Sequence, residues 1–531
     1  MNRNIPTIDK VFVLMLENRS FDHMLGFSGL SGTDVITGKL RKVNGLKEGD
    51  YFNIDRTGNI VSAGTGAPAR LMSDPGHEFG DILEQLCGPG KQTDPLTGAY
   101  PKVTNAGFLS NYTGTDQAVM KCFGAGELRI LETLAKEFAV CDAWYSSAPA
   151  STWPNRFFFH AASSGGMVES ASDWAVLSST LFQGYNFQHG TIFDLLDAAK
   201  IEWRIYEGDA FPQSFALKGM NWQWIRHGRF KDFSRFKSDV SRKDFSPRYV
   251  FIEPNYGCDI LPPQDFVGGD SQHPIDDVFK GEDLIKRVYE AVRNSPHWPH
   301  SLLVITYDEH GGFYDHVAPP GGATAPGDAA TVSRQPRFDF KQYGVRVPTV
   351  IISPYTARNL VDSTVYDHTS FLRTLELLFD LPALTDRDAH AADFLHLLRS
   401  VQRPRIASMA ANPRATIRQP KKEGEGDGDD GDGSSAPDKL TSNVPKGDKP
   451  TRTLAEAEVE NQPLKHHHYD WLHVAFLRDL AIRQHDQREI FSLDQLRRDV
   501  VHIRTVGQAR RYMQSVRAKV MQFKSRNEHL G

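Results

Sequence analysis

The chain has 531 residues, of which 40% are hydrophobic and 24% are charged, and its formal net charge is -5. This composition is ordinary for a soluble globular protein and leaves room for one large domain plus a smaller one. The slightly negative charge gives no reason to expect a nucleic-acid partner, and no apolar run approaches the length of a membrane span.

The first predicted element is a buried strand over residues 11–16, where six apolar residues follow one another. An apolar run this short is typical of a strand that is covered on both faces in an α/β domain. Glu17 and Asn18 follow it directly. Ligands of open α/β sheets bind at the carboxyl edge of the strands, so this pair is a candidate site. A turn with an exposed Glu17 is the simpler alternative.

Helical and strand-like patterns alternate between the first strand and about residue 400. Residues 28–125 are rich in Gly, Pro, Asp and Thr, and we expect long loops and short strands laid over the sheet edge. Residues 211–247 form an insertion with no clear pattern. The alternation implies an α/β fold, with a largely parallel central sheet and helices on both faces. The predicted helices are 126–139, 191–200, 276–294 and 368–379, and the predicted strands are 138–144, 201–206, 248–253, 302–307 and 347–353.

The composition changes after residue 402. Residues 403–465 contain several prolines and an acidic Gly/Asp run over 423–433, and we predict a flexible linker there. A calcium-binding loop is the alternative, although the Asp spacing does not complete the EF-hand pattern. Residues 466–531 predict a small helical C-terminal region of two or three amphipathic helices. Its basic residues indicate a face that is exposed to solvent. The alternative is a surface that binds a membrane, or that binds a secretion or adaptor partner.

The strand predicted at 302–307 repeats the pattern of the first strand, because it runs directly into Asp308 and Glu309. If the two strands are neighbours in a parallel sheet, these carboxylates meet Glu17 and Asn18 at one edge. Four such side chains form an oxygen-rich cage that suits a hard divalent cation, and the carboxylates repel one another without it. We therefore predict one divalent metal ion, with Ca²⁺, Mg²⁺, Mn²⁺ and Zn²⁺ as the candidates.

A hydroxyl group for covalent catalysis is present at Thr152, in the segment Ser151-Thr152-Trp153-Pro154. Pro two residues after a hydroxyl residue is typical of a helix start. A hydroxyl there faces the positive end of the helix, where a phosphate also binds well, and a bound metal ion would lower its pKa. Helix capping alone is the simpler interpretation.

Three histidines lie in sequence contexts typical of loops: His77, His273 and His316. A single histidine in such a context is most often structural or exposed. Histidines grouped around a metal and a phosphate, however, donate hydrogen bonds to phosphate oxygens and protonate the leaving alkoxide. All three are therefore candidate catalytic residues.

Five motifs occur in order along roughly residues 8 to 400, namely ENRSFDH at 17–23, DPGH at 74–77, PASTWPNR at 149–156, QHP at 272–274 and TYDEHGGFYDHV at 306–317. Together they resemble the phosphoesterase family. That family contains phosphatidylcholine-preferring phospholipases C of bacteria, non-specific phospholipases C of plants and a bacterial acid phosphatase of the alkaline-phosphatase-like superfamily. The resemblance implies an alkaline-phosphatase-like catalytic domain over residues 1–402 and leads us to expect a bacterial source.

The resemblance also implies roles for the site residues. One metal ion would be held by Glu17, Asn18, Thr152, Asp308 and Glu309. Thr152 would attack phosphorus and form a phospho-threonine intermediate. The residues expected to hold the phosphate or to assist the leaving group are His77, His273 and His316.

One position departs from the family pattern. Family members often carry Met-Asp-Gly-Phe before the nucleophile, whereas this chain has Asn-Ala-Gly-Phe at 105–108. The carboxylate is therefore missing, and its hydrogen bond is either lost or supplied by Asn105.

We expect a metal-dependent phosphoric ester hydrolase of the phospholipase C type, which cleaves the glycerol–phosphate bond of phospholipids. A phosphomonoesterase with the same site is one alternative, and an inactive module that binds a membrane or a partner is another. The chain enters its first strand by residue 11 without a basic and apolar leader, and its four cysteines are scattered. Both features favour a cytoplasmic protein, with export by a leaderless secretion system as the alternative.

Overall fold

The computed structural model describes residues 7–171, 182–257, 268–329, 333, 336–399, 402, 460–486, 498 and 500–527. Most of the predicted linker, including the acidic run at 423–433, lies outside the described residues, and so does Cys258. The other three cysteines are buried free thiols: Cys87, Cys122 and Cys141.

A sheet of ten strands forms the centre of the part of the chain that the structure describes. In chain order the strands of the molecule are β1 (Lys10–Leu16), β2 (Ser31–Asp34), β3 (Leu40–Lys42), β4 (Phe52–Ile54), β5 (Ile60–Ser62), β6 (Gly64–Thr65), β7 (Lys121–Cys122), β8 (Ala139–Cys141), β9 (Trp203–Glu207), β10 (Phe230–Asp232), β11 (Tyr249–Glu253), β12 (Ser301–Tyr307), β13 (Thr349–Ile352) and β14 (Leu360–Asp362).

The order of the strands in the large sheet is β10-β9-β11-β1-β12-β13-β8-β14-β2-β3. The central strand β1 is parallel to both of its neighbours, β11 and β12. Among the described strands of this sheet, β13 pairs antiparallel with β12 and β8, and β3 pairs antiparallel with β2. The prediction of an α/β fold with a largely parallel sheet is therefore confirmed.

The predicted helices at 126–139, 191–200, 276–294 and 368–379 are all found, and the five later predicted strands correspond to β8, β9, β11, β12 and β13. The α-helices of the described residues are α1 (Phe79–Cys87), α2 (Phe108–Asn111), α3 (Arg129–Glu137), α4 (Thr152–Ala161), α5 (Ile192–Ala198), α6 (Met220–His227), α7 (Phe236–Val240), α8 (Val278–Arg293), α9 (His368–Phe379), α10 (Asp386–Ala389), α11 (His466–Asp486) and α12 (Val506–Arg526).

Two regions differ from the sequence prediction. Residues 28–125, expected as loops and short strands, also contain helix α1. The carboxylate of Asp81 accepts a hydrogen bond from the backbone N–H of Glu78 at 3.2 Å and closes a capping box at the start of this helix. Residues 211–247, which the sequence left unassigned, form α6, β10 and α7, and β10 is an edge strand of the large sheet.

Strands β1 and β12 end at the same level of the sheet. All seven residues of each strand are buried, as the unbroken apolar runs predict. Leu16 at the end of β1 pairs with Tyr307 at the end of β12. The residues that follow, Glu17 and Asp308, therefore leave the sheet side by side.

The C-terminal helices α11 and α12 pack on each other and on the rest of the chain. Every residue of α11 from 468 to 482 is buried, whereas an amphipathic helix was expected. The difference arises because its charged side chains have partners inside the protein. Arg478 donates to the carboxylate of Glu207, and Asp479 accepts from Lys519 of α12 at 2.7 Å. None of the described helices combines the length and the apolar character that crossing a membrane requires.

Basic side chains of α12, which the sequence offered as a membrane or partner surface, form ion pairs within the chain. These pairs are Lys519 with Asp479, Lys524 with Glu207, Arg510 with Glu460 and Arg526 with Asp486. Part of the positive charge of this helix is therefore balanced by the protein itself.

Candidate active site

Four side chains follow the central strands β1 and β12 and lie buried at the carboxyl edge of the sheet: Glu17, Asn18, Asp308 and Glu309. The backbone N–H of Asn18 donates to Oδ1 of Asp308 at 3.0 Å, which ties the two strand ends together. The structure thus brings together the four residues that the paired strand patterns indicated.

The turns after these two strands require close contact between their backbones. Asn18 has a left-handed backbone conformation with φ of 54°, which asparagine adopts more readily than most residues. Gly311 lies against it with φ of 63°, and a Cβ there would lie 2.3 Å from the carbonyl oxygen of Asn18. Only glycine fits at this point without a shift of the backbone.

Thr152 is the first residue of α4, and its hydroxyl donates a hydrogen bond to Oδ1 of Asn18 at 3.1 Å. Ser151 precedes the helix as its N-cap residue, with an extended backbone and no side-chain capping bond. The hydroxyl of Thr152 therefore binds a strand end and does not cap its own helix. Helix capping, the simpler interpretation of Thr152, is wrong.

One turn further along α4, the buried Arg156 bridges the two strand ends. Its Nε donates to Oδ2 of Asp308 at 3.1 Å, and its Nη2 donates to Oε1 of Glu17 at 3.4 Å. Arg156 lies four residues after Thr152, so the two side chains share one face of the helix. Sequence reasoning missed Arg156, whose only signal is its place in the motif PASTWPNR.

Glu17 has a second partner in the segment 211–247. Nε2 of Gln213 donates to Oε1 of Glu17 at 2.6 Å. The backbone N–H groups of Gln213 and Ser214 donate in turn to the carboxylate of Glu253, at 2.6 and 3.0 Å. Glu253 ends β11, so a third strand end positions Gln213. The sequence contains no pattern that would have identified this residue.

The carboxylates at the strand ends carry more negative charge than the protein balances. Burial raises the pKa of Glu17 well above its usual value, and the charge of Arg156 offsets this only in part. Burial also raises the pKa of Asp308, again against the opposing effect of Arg156. Because one guanidinium faces two carboxylates, an additional cation would stabilise their ionised forms.

Glu309, by contrast, has a cationic partner of its own. Nδ1 of His77 lies 2.7 Å from Oε1 of Glu309. Burial acts to lower the pKa of His77, but the charges of Glu309 and Asp74 hold it well above its usual value. Burial acts to raise the pKa of Glu309, and His77 together with His310 holds it at about 2. His77, which is partly exposed, and the buried Glu309 therefore form an ion pair.

The oxygen atoms at the strand ends are of the kind that hard divalent cations bind. Oγ1 of Thr152 and Oδ1 of Asn18 are 3.1 Å apart. This distance is that of a hydrogen bond between the two groups. Carboxylate, amide and hydroxyl oxygens are also the donors that hard cations prefer. The sequence predicts Glu17, Asn18, Thr152, Asp308 and Glu309 as the donors of one ion.

A second group of possible metal ligands borders the same cavity. Among the described residues, ligand atoms of Asp74, His77 and His273 lie within 4.8 Å of one another. Nε2 of His77 is 3.6 Å from Oδ2 of Asp74, and Nε2 of His273 is 3.8 Å from the same oxygen. Glu17 and Thr152 line this cavity too. The structure therefore places His77 and His273 beside the candidate nucleophile.

His316 lies in a different cluster. Its Nδ1 is 2.6 Å from Oδ2 of Asp22, and its Nε2 is 3.1 Å from Oδ1 of Asn44. The buried guanidinium of Arg346 donates to Asp22 at 2.9 Å and to Asp315 at 3.0 Å, which balances charge in this cluster. The described residues that line the cavity do not include His316. Its catalytic role stays a prediction that the geometry does not favour.

Asn105 binds the loop that follows β12. Its side-chain amide donates to the carbonyl oxygen of Asp315 at 2.8 Å. An ionised carboxylate only accepts hydrogen bonds. Because Asn105 is the donor here, its bond is not one that the carboxylate of the family pattern, at the next position, could form.

Comparison with known proteins gives matches over most of this domain. The model of the phosphoesterase family matches residues 8–382. Non-specific phospholipase C6 of Arabidopsis thaliana is 36% identical over 411 residues, which are 75% of this chain and 73% of the relative. Non-hemolytic phospholipase C of Burkholderia pseudomallei (strain K96243) is 27% identical over 429 residues, which are 71% of this chain and 56% of the relative.

A solved structure of a protein in the alkaline phosphatase superfamily, from Vibrio parahaemolyticus, covers 53% of this chain and 65% of its own. The identity is 12% and the TM-score is 0.29, which is too low to support an argument about the fold.

Relatives with 33 to 36% identity are plant proteins, so the expectation of a bacterial source is not supported. The match to the family model, in contrast, spans well over half of the chain. The chain belongs to the phosphoesterase family and is a hydrolase of phosphoric esters.

Proposed function

We propose that this chain is a metal-dependent phospholipase C, which cleaves the glycerol–phosphate bond of a phospholipid. The observation that carries the proposal is the hydroxyl of Thr152, which is hydrogen-bonded to Asn18. This hydroxyl shares one cavity with Glu17 and with two histidines, His77 and His273. A nucleophile, oxygen ligands and proton donors in one cavity are the groups that phosphoryl transfer needs. The relatives named phospholipases C support the same class of substrate.

The residues that would hold one metal ion are Glu17, Asn18, Thr152, Asp308 and Glu309. When bound, a divalent cation supplies positive charge that favours the deprotonated hydroxyl and offsets the charge of the phosphate. All five donors are oxygen atoms, so Mg²⁺, Ca²⁺ and Mn²⁺ suit the set better than Zn²⁺, although oxygen sites also accept zinc.

In the first step, Oγ1 of Thr152 loses its proton to solvent and forms a bond to phosphorus, while the bond from phosphorus to the diacylglycerol oxygen breaks and that oxygen takes up a proton. His77 and His273 border the cavity, where they can donate hydrogen bonds to phosphate oxygens and a proton to the leaving oxygen. In the second step, water attacks the phosphorus of the phospho-threonine. The phosphorylated headgroup leaves, and the hydroxyl of Thr152 is restored.

Assays of the purified full-length chain on phosphatidylcholine vesicles and on p-nitrophenyl phosphate test this proposal. We expect diacylglycerol release from the vesicles, a lower kcat/KM for the monoester, and loss of both activities in Thr152→Ala. Hydrolysis of the monoester alone would assign a phosphomonoesterase to the same site. If the chain hydrolyses neither substrate after loading with divalent metals, it is an inactive binding module and the proposal is wrong.

A further inference from the structure

We propose that Trp471, in the C-terminal helix α11, forms part of the substrate-binding wall and selects phosphate esters that carry a cationic group. Trp471 lies outside residues 8–382, which the family model matches, yet it lines the same cavity as Thr152 and His273. The C-terminal region is then part of the catalytic unit and not an appended module. The inference rests on the proposed function, because it assigns a specificity to that site.

The indole of Trp471 packs against two aromatic residues that lie next to catalytic groups. Its ring centroid is 6.1 Å from that of Trp153, the residue after the proposed nucleophile. It is 5.1 Å from the ring centroid of Tyr256, which in turn lies 5.5 Å from the guanidinium carbon of Arg156. Only 4% of Trp471 is exposed. The indole therefore belongs to the wall of the cavity and not to the outer surface.

Buried polar contacts hold α11 in this position. The carboxylate of Asp470 accepts from the backbone N–H of Ala171 at 3.3 Å. Arg478 has no exposed side-chain surface and pairs with Glu207 at the end of β9. Separating such a pair leaves an unbalanced buried charge, which is strongly destabilising. A helix held in this way forms a permanent wall of the site and does not act as a movable lid.

The wall around Trp471 combines aromatic rings with carboxylates. Trp153 and Trp471 contribute two indoles to the lining of the cavity, and Asp74 and Glu78 contribute two carboxylates. The carboxylate of Glu78 is fixed in place, because it accepts from the backbone N–H of Ser170 at 3.0 Å. Indole faces bind quaternary ammonium groups, and nearby carboxylates add electrostatic attraction. This end of the cavity therefore suits a cationic substituent on the phosphate.

The test compares Trp471→Ala with Phe476→Ala in the full-length, metal-loaded chain. Phe476 is a buried aromatic residue of the same helix that packs on Phe182, with centroids 5.5 Å apart, and it does not line the cavity. It therefore controls for a general loss of packing in α11. The substrates are the choline and 3,3-dimethylbutyl diesters of p-nitrophenyl phosphate. Both carry the same phosphate charge and have nearly the same shape, because a neutral tert-butyl group replaces the trimethylammonium group, so only the positive charge differs.

We expect Trp471→Ala to raise KM for the choline ester by about 3- to 30-fold, the range of one cation–π contact, and to change KM for the neutral 3,3-dimethylbutyl ester by a clearly smaller factor. Trp471→Phe keeps an aromatic face and should restore most of the preference. Phe476→Ala should affect both esters alike. Equal losses on both esters in Trp471→Ala, or faster hydrolysis of both, would overturn the proposal.

Binding of phosphocholine and of inorganic phosphate to the Thr152→Ala chain, measured by calorimetry, provides a readout without turnover. We expect tighter binding of phosphocholine, and a smaller difference once Trp471 is also replaced by Leu, which has no aromatic face. Equal affinity for the two ligands would overturn the specificity even if Trp471→Ala does not fold. If the wild-type chain hydrolyses neither ester, the proposed function is wrong. A preference for phosphocholine that depends on Trp471 would even then support the role of Trp471 in binding the cationic group.

Discussion

The hydroxyl of Thr152 donates a hydrogen bond of 3.1 Å to the side-chain oxygen of Asn18, across 134 positions of the chain. This bond joins the start of α4 to the carboxyl end of β1. The backbone N–H of Asn18 also binds the carboxylate of Asp308, so three distant segments meet at the proposed nucleophile. The position of the hydroxyl is therefore set by the edge of the sheet and not by the helix alone.

Replacing Thr152 by alanine removes the only atom that can form the phospho-threonine. We expect turnover to fall by about a thousandfold or more, as it does when other enzymes lose their nucleophile. Stability should change by only about 1 kcal/mol, because one hydrogen bond is lost. Initial rates and thermal melting check both statements. Thr152→Ser keeps a hydroxyl and is the matched control, and an alanine variant that retains full turnover would refute the assignment.

Measuring the bound metal distinguishes the proposed ligands at the strand ends from the group formed by Asp74, His77 and His273. Loss of a hydrogen bond to a metal ligand already lowers metal affinity by about 10- to 100-fold, and we expect Glu17→Gln, which alters a proposed ligand itself, to lower the affinity at least that much. Asp74→Asn changes a carboxylate at the other group and should leave one ion bound. Elemental analysis after dialysis gives the number of ions per chain. Retention of the ion in Glu17→Gln and its loss in Asp74→Asn would instead place the metal at Asp74, His77 and His273.

The two histidines His273 and His316 should respond differently to the same substitution. His273 borders the cavity of Thr152, and we expect His273→Gln to lower kcat/KM by about 10²- to 10⁴-fold, the contribution of a general acid. His316 contacts Asp22 at 2.6 Å outside that cavity, so His316→Gln should lower the melting temperature more than the rate. Kinetics and melting of both variants check this contrast. A larger loss of turnover in His316→Gln would restore His316 as a catalytic residue.

The sequence was sufficient to predict the central strands and the residues that follow two of them, because that information is local. The apolar runs 11–16 and 302–307 each identify a buried strand, and each run ends directly in oxygen ligands. Parallel neighbours in a sheet end on the same side, which made the meeting of Glu17 with Asp308 predictable. Once β1 and β12 are adjacent, Leu16 pairs with Tyr307, and Glu17 and Asp308 follow at the same level of the sheet.

Residues that depend on distant partners could not be predicted in this way. Arg156 and Gln213 carry no pattern of their own, and both are defined by contact with Glu17. Helix α11 contains charged residues, which normally indicate a solvent-exposed face. Its Arg478 is nevertheless buried, because Glu207 lies 271 positions away in the chain and next to it in space.

A buried carboxyl group in α9 makes stability depend on pH. Burial, together with the neighbouring Asp388, raises the pKa of Glu376 from 4.5 to about 9, and Arg373 at 3.6 Å only partly opposes this. Below about pH 4.5 the group is protonated in both the folded and the unfolded chain. Between pH 4.5 and about 9 only the folded chain keeps the proton, so the stability is lost progressively as the pH rises.

Glu376→Gln keeps a neutral side chain at every pH and should remove this dependence. The free energy of unfolding of the variant, relative to wild type, should increase by up to about 1.4 kcal/mol per pH unit between pH 5 and pH 8. Denaturant unfolding at several pH values measures the difference. Asp380→Asn, at the exposed end of the same helix, is the control for loss of a carboxylate. A difference between Glu376→Gln and wild type that stays constant across this range would show that Glu376 is already ionised in the folded chain.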